Sequence, residues 1–356
     1  MKKRVFLEAH NIKNLYFGFG QFNYNLIKGL YNAGVDDFKM VIHAKNITQL
    51  KDEFGDYFEY KKYYSFRRYP FLGIRQKYNV WHSLNQNIKI EPQAKIPCLL
   101  TVHDVNFIDE VSNDLNHPRN LRFQEKLNRS VSITYISEYA KNSTHQHFKV
   151  PKVPEFVIYN GNPIQSTKIE HNFVPKHTTK RQFLFTIGEC TQRKNPHTLV
   201  DMLKVLPDYD LIISGNQNTN YAKQKLVECI KSNNLEKRVI LTGKINDTEK
   251  HYYLKHCTAF VFPSLREGFG IPPIEAMRFG KPVFLSNNTS LPEICGELAF
   301  YWDHYEPTYM ANVFRKGMEN YKAKKTWYSD QYKERAKSFD WDKAARKYIE
   351  VYRSLL

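Results

Sequence analysis

Cysteine is sparse in this chain of 356 residues, and the five that occur, Cys98, Cys190, Cys229, Cys257 and Cys295, are scattered, odd in number and never spaced as C-x-x-C. That pattern argues against a disulfide framework and a structural zinc site, and it fits a reducing compartment. Long apolar runs are absent as well, since none approaches the ~20 residues of a membrane-spanning helix. The basic start, MKKRVFLEAH, imitates a signal peptide, but Glu8 and His10 interrupt its apolar run, and it reads as a first buried strand. Short-period repeats and low-complexity tracts are missing too. Acidic residues are outnumbered, 36 against 53 Lys and Arg, which leaves a formal charge of +17. Such a charge calls for an anionic partner, and nucleic acid, an anionic bilayer surface and a phosphorylated substrate all qualify.

What is present is an ordinary globular composition, 42% hydrophobic and 15% aromatic, in a chain long enough for two domains. RVFLEA, FKMVIHA, YNVWHS and PCLLTVHD read as short buried strands, and QFNYNLIKGLYNAG between the first two reads as an amphipathic helix with a glycine stop. A polar, Pro-containing stretch near residues 163–181 reads as a linker. The pattern then restarts with FLFTIGE, YDLIISG, RVILTGK, TAFVFPS and KPVFLSN. Strands alternating with helices in two consecutive units predict an α/β fold, two Rossmann-like domains facing each other across a cleft. Ligands then belong at the carboxyl ends of the strands.

The stretch SLREGFGIPPIEAM, Ser264 to Met277, leaves the carboxyl end of TAFVFPS. Pro272 and Pro273 pre-set the first turn of a helix that Gly280 ends. Glu267 then lies in a loop and Glu275 in the first helical turn. Gly268 and Gly270 permit close approach of backbone to a ligand, and the helix start favours anions. Taken singly, Glu267 fits a solvated loop and Glu275 a carboxylate placed to suit the helix dipole. Their combination with Gly-Phe-Gly and Pro-Pro at a strand end favours a binding site.

PSLREGFGIPPIEAMRFGKPVFLSNNTSLPEICGELAFYWD resembles the signature region of retaining, nucleotide-sugar-dependent glycosyltransferases of the GT-B fold, glycosyltransferase family 4. Two glutamates separated by seven residues are its hallmark. GFGQFNYNLIKGL, LLTVHDVNF, ITYISEYAKNS, FVIYNGNP, FLFTIGECTQRKN and FDWDKAARKYIEVYRSLL resemble further family segments in the expected order. The resemblance implies an acceptor-binding domain over 1–165, a nucleotide-sugar-binding domain over 166–335, and a helix over 336–356 that crosses back to the first domain. It implies that Glu267 and the backbone of Gly268, Phe269, Gly270 and Ile271 surround the donor sugar, and that Glu275 binds the ribose hydroxyls, a diol being well matched to a carboxylate. Arg193 and Lys194 in TQRKN would stabilise the departing diphosphate, though Glu189 stands where many relatives have arginine. His103 in TVHDVNF would lie near the reacting centre, with Asp104 orienting it or binding substrate. Gly18 and Gly20 would meet donor phosphates or acceptor, and Gly215 and Ile245 would touch the nucleotide.

The resemblance further implies a hexose, mannose first, taken with retention from GDP-mannose or a UDP-hexose, with no cofactor and no essential metal. EGFGIPPIEAM resembles mannosyltransferase members most. The acceptor would be a lipid-linked or lipopolysaccharide glycan and the location cytoplasmic, peripheral on the inner face of the membrane. A sugar-nucleotide epimerase or phosphorylase on the same fold, or a basic binding scaffold, are the rival readings. Two motifs are discounted. Asp208–Asp210 matches an Asp-x-Asp metal motif but leads into a strand, and His145 and His147 fit a solvated surface pair without acidic or cysteine partners in sequence reach. Tyr60 to Trp81 interleaves six basic residues with eight aromatics. That pattern suits a nucleic-acid surface, a membrane interface or a partly packed loop, and the family resemblance favours the membrane over nucleic acid.

Overall fold

A computed structural model describes residues 2–93, 95–169 and 173–356. The chain divides into two compact units, Met1–Pro163 with Asp340–Leu356, and Ile164–Phe339.

In the first unit, seven strands form one parallel sheet: β1 (Lys3–Glu8), β2 (Phe38–Ala44), β3 (Glu59–Lys62), β4 (Val80–Ser83), β5 (Cys98–Val102), β6 (Ser130–Tyr135) and β7 (Glu155–Val157). Their order is β3-β2-β1-β4-β5-β6-β7, so the direction of progression reverses between β1 and β4. Phe6, Leu7, Val80, Trp81, Leu99 and Ile133 are wholly buried, as expected of strands covered on both faces. Register pairs Glu8 with His43 on β2 and with Ser83 on β4.

The helix Trp341–Leu355 belongs to this unit. Its buried face, Trp341, Ala344, Ala345, Tyr348 and Tyr352, packs against the helix Gly18–Ala33. The approach is close enough that a Cβ on Gly29 would lie 2.9 Å from the Cβ of Ala345, and one on Gly161 would lie 2.5 Å from the Trp341 ring. Tyr352 hydroxyl and His82 Nδ1 are 2.8 Å apart, and His82 Nε2 reaches Thr101 Oγ1 at 2.7 Å, so the helix is tied to the sheet through a buried polar chain.

The second unit carries a six-stranded parallel sheet: β8 (Gln182–Ile187), β9 (Tyr209–Ser214), β10 (Val239–Gly243), β11 (Ala259–Phe262), β12 (Val283–Ser286) and β13 (Phe300–Trp302). The order β10-β9-β8-β11-β12-β13 is the doubly wound dinucleotide-binding order, with its reversal between β8 and β11. Phe185, Leu211, Ile212, Phe260, Val261 and Phe284 form its buried centre. Residues 164–169 and 173–181 carry no helix or strand, and the remainder of the linker expected near 163–181 lies outside the described residues. Among the described residues no helix is long and apolar enough to cross a membrane.

Candidate functional site

The reversal of the second sheet brings two loops together. Gly188–Asn195 follows β8, and Pro263–Gly270 follows its neighbour β11. The Leu265 amide donates to the Arg193 carbonyl at 2.8 Å, stitching one loop to the other. Glu267, only 9% exposed, sits between them. Its Oε1 accepts the Ser264 hydroxyl at 2.6 Å, is ion-paired to Lys194, and lies 3.7 Å from Arg193. Burial alone would push this carboxyl up, but Lys194 and Arg193, with the Ser264 hydroxyl, hold it below the usual range. Lys194 also lies 4.8 Å from the Phe262 ring centroid, and Arg193 donates to the Arg266 carbonyl at 2.7 Å. Arg193, Lys194 and Glu267 are thus one cluster.

The loop around Glu267 is held from a third side. The Glu267 amide donates to Thr289 Oγ1 at 3.0 Å, and Ser290 Oγ is 2.9 Å from the carbonyls of both Glu267 and Phe269. Gly270 has φ +107°, and a Cβ there would lie 2.7 Å from Leu291 Cδ2, so the turn needs glycine. The Phe269 ring is buried edge-on to Phe339. Gly268 precedes it in the same loop.

The helix begins at Ile271, one residue earlier than the prolines suggested. Glu275 is therefore in its second turn, not its first, and the first turn holds no acidic residue. This weakens the helix-dipole explanation, whose effect fades beyond the end turn. Instead Glu275 is 4% exposed and its Oε1 pairs with Lys250 Nζ at 2.9 Å. Burial pushes the Glu275 carboxyl up, opposed by Lys250, while Lys250 also meets Asp247 at 3.0 Å. Both glutamates thus commit Oε1 to a lysine, and among the described residues no hydrogen bond reaches either Oε2.

Gly215 has φ +131°, and a Cβ would meet the Gly188 carbonyl oxygen at 1.8 Å, so it serves backbone packing at the strand ends. Ile245 is half-buried in the short link between β10 and the helix Asp247–His256. Glu189 accepts from Asn216 Nδ2 at 2.9 Å.

In the first unit, His103 follows β5 directly and is 5% exposed. Its Nε2–H donates to the Leu84 carbonyl at 2.9 Å, its amide donates to Gln86 Oε1 at 3.1 Å, and Phe19 and Phe22 meet it edge-on. Burial lowers its pKa to about 4, so it is a neutral hydrogen-bonding group at pH 7. Asp104 Oδ1 accepts from the Asn106 amide at 3.2 Å. Gly18 opens the helix Gly18–Ala33 with free space where a Cβ would stand, whereas one on Gly20 would meet the Asn14 carbonyl at 2.0 Å. Only Gly18 of that pair is spatially open.

His145 has an acidic partner after all, Glu155 Oε1 at 2.8 Å, supplied by β7 and out of reach in local sequence. Asp210 enters β9 and accepts from Thr179, with Arg181 at 3.3 Å. The Tyr60–Trp81 stretch is ordered as the end of β3, two 3-10 turns (Ser65–Arg68 and Pro70–Leu72) and β4. Sequence reasoning missed Ser264, Thr289, Ser290 and Lys250. The first lies inside the quoted motif, and Lys250 directly follows an Asn246–Glu249 capping box that marks a helix start but not its partner.

Two doubly wound parallel sheets, with paired carboxylates and cations at the reversal of the second, define the GT-B class of fold. Residues 167–334 match the family model described as glycosyl transferases group 1. A serotype-specific mannosyltransferase, WbdA, from Escherichia coli is 32% identical over 150 residues, 40% of this chain and 18% of that protein. The matched region thus spans less than a fifth of that relative. The O-antigen chain mannosyltransferase B of Escherichia coli is 24% identical over 272 residues, 67% of this chain and 66% of that protein. Among solved structures, Anabaena HepE in complex with UDP and glucose superposes with a TM-score of 0.74 at 16% identity, covering 99% of this chain and 100% of that one.

Proposed function

We propose that the chain is a retaining glycosyltransferase that moves a hexose, mannose first, from a nucleoside diphosphate sugar to a glycan acceptor. The observation that carries this reading is the pair of buried glutamates, each anchored through Oε1 by a lysine and open at Oε2, at the carboxyl end of the second sheet. Glu267 would take a sugar hydroxyl and Glu275 the ribose diol. Arg193 and Lys194 would supply the positive charge that a departing diphosphate requires, without an essential metal. His103 would contribute a hydrogen bond rather than a proton. Mannose is favoured by the names of the relatives, and a UDP-hexose remains the second arm because HepE holds UDP.

The test is GDP release from GDP-mannose, with UDP-glucose in parallel and octyl α-D-mannopyranoside as acceptor. Glu267→Gln should lower turnover by about 10²–10³-fold, the scale of one lost stabilising group at a reacting centre. Unchanged turnover would overturn the site. Stabilisation of the wild type by GDP or UDP in a melting assay is the companion measurement, and stabilisation by neither would count against the donor reading.

The same reading places the protein on an anionic membrane surface, where a lipid-linked acceptor would be met. Support comes from Tyr64, Phe66, Tyr69, Phe71 and Leu72, 41–70% exposed, and from Arg67 and Arg68 lying over the rings of Tyr64 and Tyr69. No Asp or Glu occurs from Tyr60 to Ile90. Flotation with phosphatidylglycerol-containing vesicles should exceed that with pure phosphatidylcholine, and Phe71→Ser should weaken it about tenfold, as burial of one such ring suggests. Tighter binding to duplex DNA than to those vesicles would reverse the assignment.

A further inference from the structure

At the reversal of the first sheet, a carboxylate used nowhere above is buried between two imidazoles. Glu8, the last residue of β1, has no solvent exposure. Its Oε1 accepts Nδ1–H of His43 at 2.9 Å and its Oε2 accepts Nδ1–H of His10 at 2.7 Å. Burial would push the Glu8 carboxyl up, but these two hydrogen bonds bring it below the usual range, so it is an acceptor on both sides. In its neutral form an imidazole held this way carries its proton on Nδ1 and presents Nε2 as a lone pair.

The two nitrogens differ in what surrounds them. Nε2 of His43 is buried and has no partner. His10 is 18% exposed at its side chain, and among the described residues no hydrogen bond reaches its Nε2. Its ring stacks on Tyr63 at 4.7 Å between centroids, 18° between planes. Burying a carboxylate is unfavourable unless both oxygens are satisfied, and here both are used to fix imidazole orientation.

Location gives the arrangement a purpose. Open parallel sheets bind ligands at the carboxyl edge where strand order reverses, and β1 borders that reversal. β5, which His103 follows, stands two places from β1 in the order β1-β4-β5, so these two strand ends are about 10 Å apart along the edge at ~4.8 Å per strand. A separation of that size suits successive sugar rings of one glycan.

We propose that His10, with Glu8 as its positioning residue, is a recognition point for the glycan acceptor, its Nε2 accepting a hydrogen bond from a non-reacting sugar hydroxyl beside the Tyr63 ring. The inference rests on the glycosyltransferase reading and deepens it to a subsite. No proton is transferred there.

The experiment separates the two. With GDP-mannose or UDP-glucose as donor, octyl glycosides of α-mannose, β-glucose, β-galactose and β-N-acetylglucosamine are tested as acceptors, and donor hydrolysis by water is followed alone. His10→Phe keeps a ring on Tyr63 and deletes the nitrogen. It should raise the KM for the glycoside that the wild type accepts by about tenfold, the cost of one hydrogen bond, while hydrolysis and nucleoside diphosphate affinity stay within about twofold. Glu8→Gln should reproduce the KM effect, and His10→Gln, which restores an acceptor oxygen, should recover part of it. An unchanged glycoside KM in His10→Phe overturns the subsite. So does a wild type that hydrolyses the donor yet glycosylates none of the four. A wild type that neither hydrolyses nor transfers overturns the glycosyltransferase reading instead.

Discussion

The carboxyl ends of the two sheets are built from the same topology and opposite chemistry. At the second, buried carboxylates meet ammonium and guanidinium groups, Glu267 with Lys194 and Arg193, Glu275 with Lys250. At the first, imidazoles dominate: His10 and His43 on Glu8, His82 between Tyr352 and Thr101, His103 on the Leu84 carbonyl. Arg193 and Lys194, two cations against the single carboxylate of Glu267, suit an anionic ligand such as a diphosphate. Orientation-fixed hydrogen-bonding imidazoles at the other edge suit hydroxyls. The fold supplies two equivalent crevices, and the side chains decide which kind of polarity each recognises.

The largest expected effect breaks the charged side of that contrast. Lys194→Met leaves Glu267 buried beside Arg193 alone, and an uncompensated buried charge costs about 3–5 kcal/mol. Chemical denaturation should show that loss, and turnover should fall at least as far as in Glu267→Gln. If stability is unchanged, the lysine is not the counter-ion that holds the loop.

The next prediction reads the neutral side. Burial lowers His82 to about 3 and His103 to about 4, against an ordinary value of 6.5. Below pH 6.5 the unfolded chain takes up protons that the folded imidazoles refuse, so the stability they contribute is present above that pH and is lost as pH falls toward the folded values. Each contributes about 1.4 kcal/mol per pH unit inside its window. His103→Gln should therefore flatten the slope of unfolding free energy between about pH 6 and pH 4.5 by about that amount. An identical slope would mean that the imidazole is protonated in the folded protein.

The contrast was unevenly legible in the sequence. Glu267, Gly270 and the prolines stand in one contiguous motif, and a loop-to-helix turn at a strand end follows from local rules. Even there the start at Ile271 moved Glu275 into the second turn, and its ion pair with Lys250 comes from a different helix that local rules do not reveal. The Glu8 cluster was invisible by comparison. Glu8 and His10 served only to interrupt an apolar run, and their meaning depends on a β1–β2 register that places His43 beside Glu8. Gly20 and Gly215 each also accommodate another stretch of backbone, a packing role that spacing in a sequence does not carry.

Lys250 gives the smallest effect and the sharpest test of what separates the two edges. Glu275 is buried, which alone would favour its protonated form, and Lys250 opposes this from a different helix. If Glu275 binds a ribose diol as a carboxylate, Lys250→Met should weaken GDP binding about tenfold at pH 7, the worth of roughly one pKa unit or one hydrogen bond. The loss should deepen as pH falls, because a Glu275 without its ammonium takes up a proton at higher pH than in the wild type and then gains a donor where the diol needs an acceptor. Isothermal titration at pH 6, 7 and 8 checks it. A pH-independent loss would make Lys250 a contact to the nucleotide itself, and no loss at all would move the ribose away from Glu275.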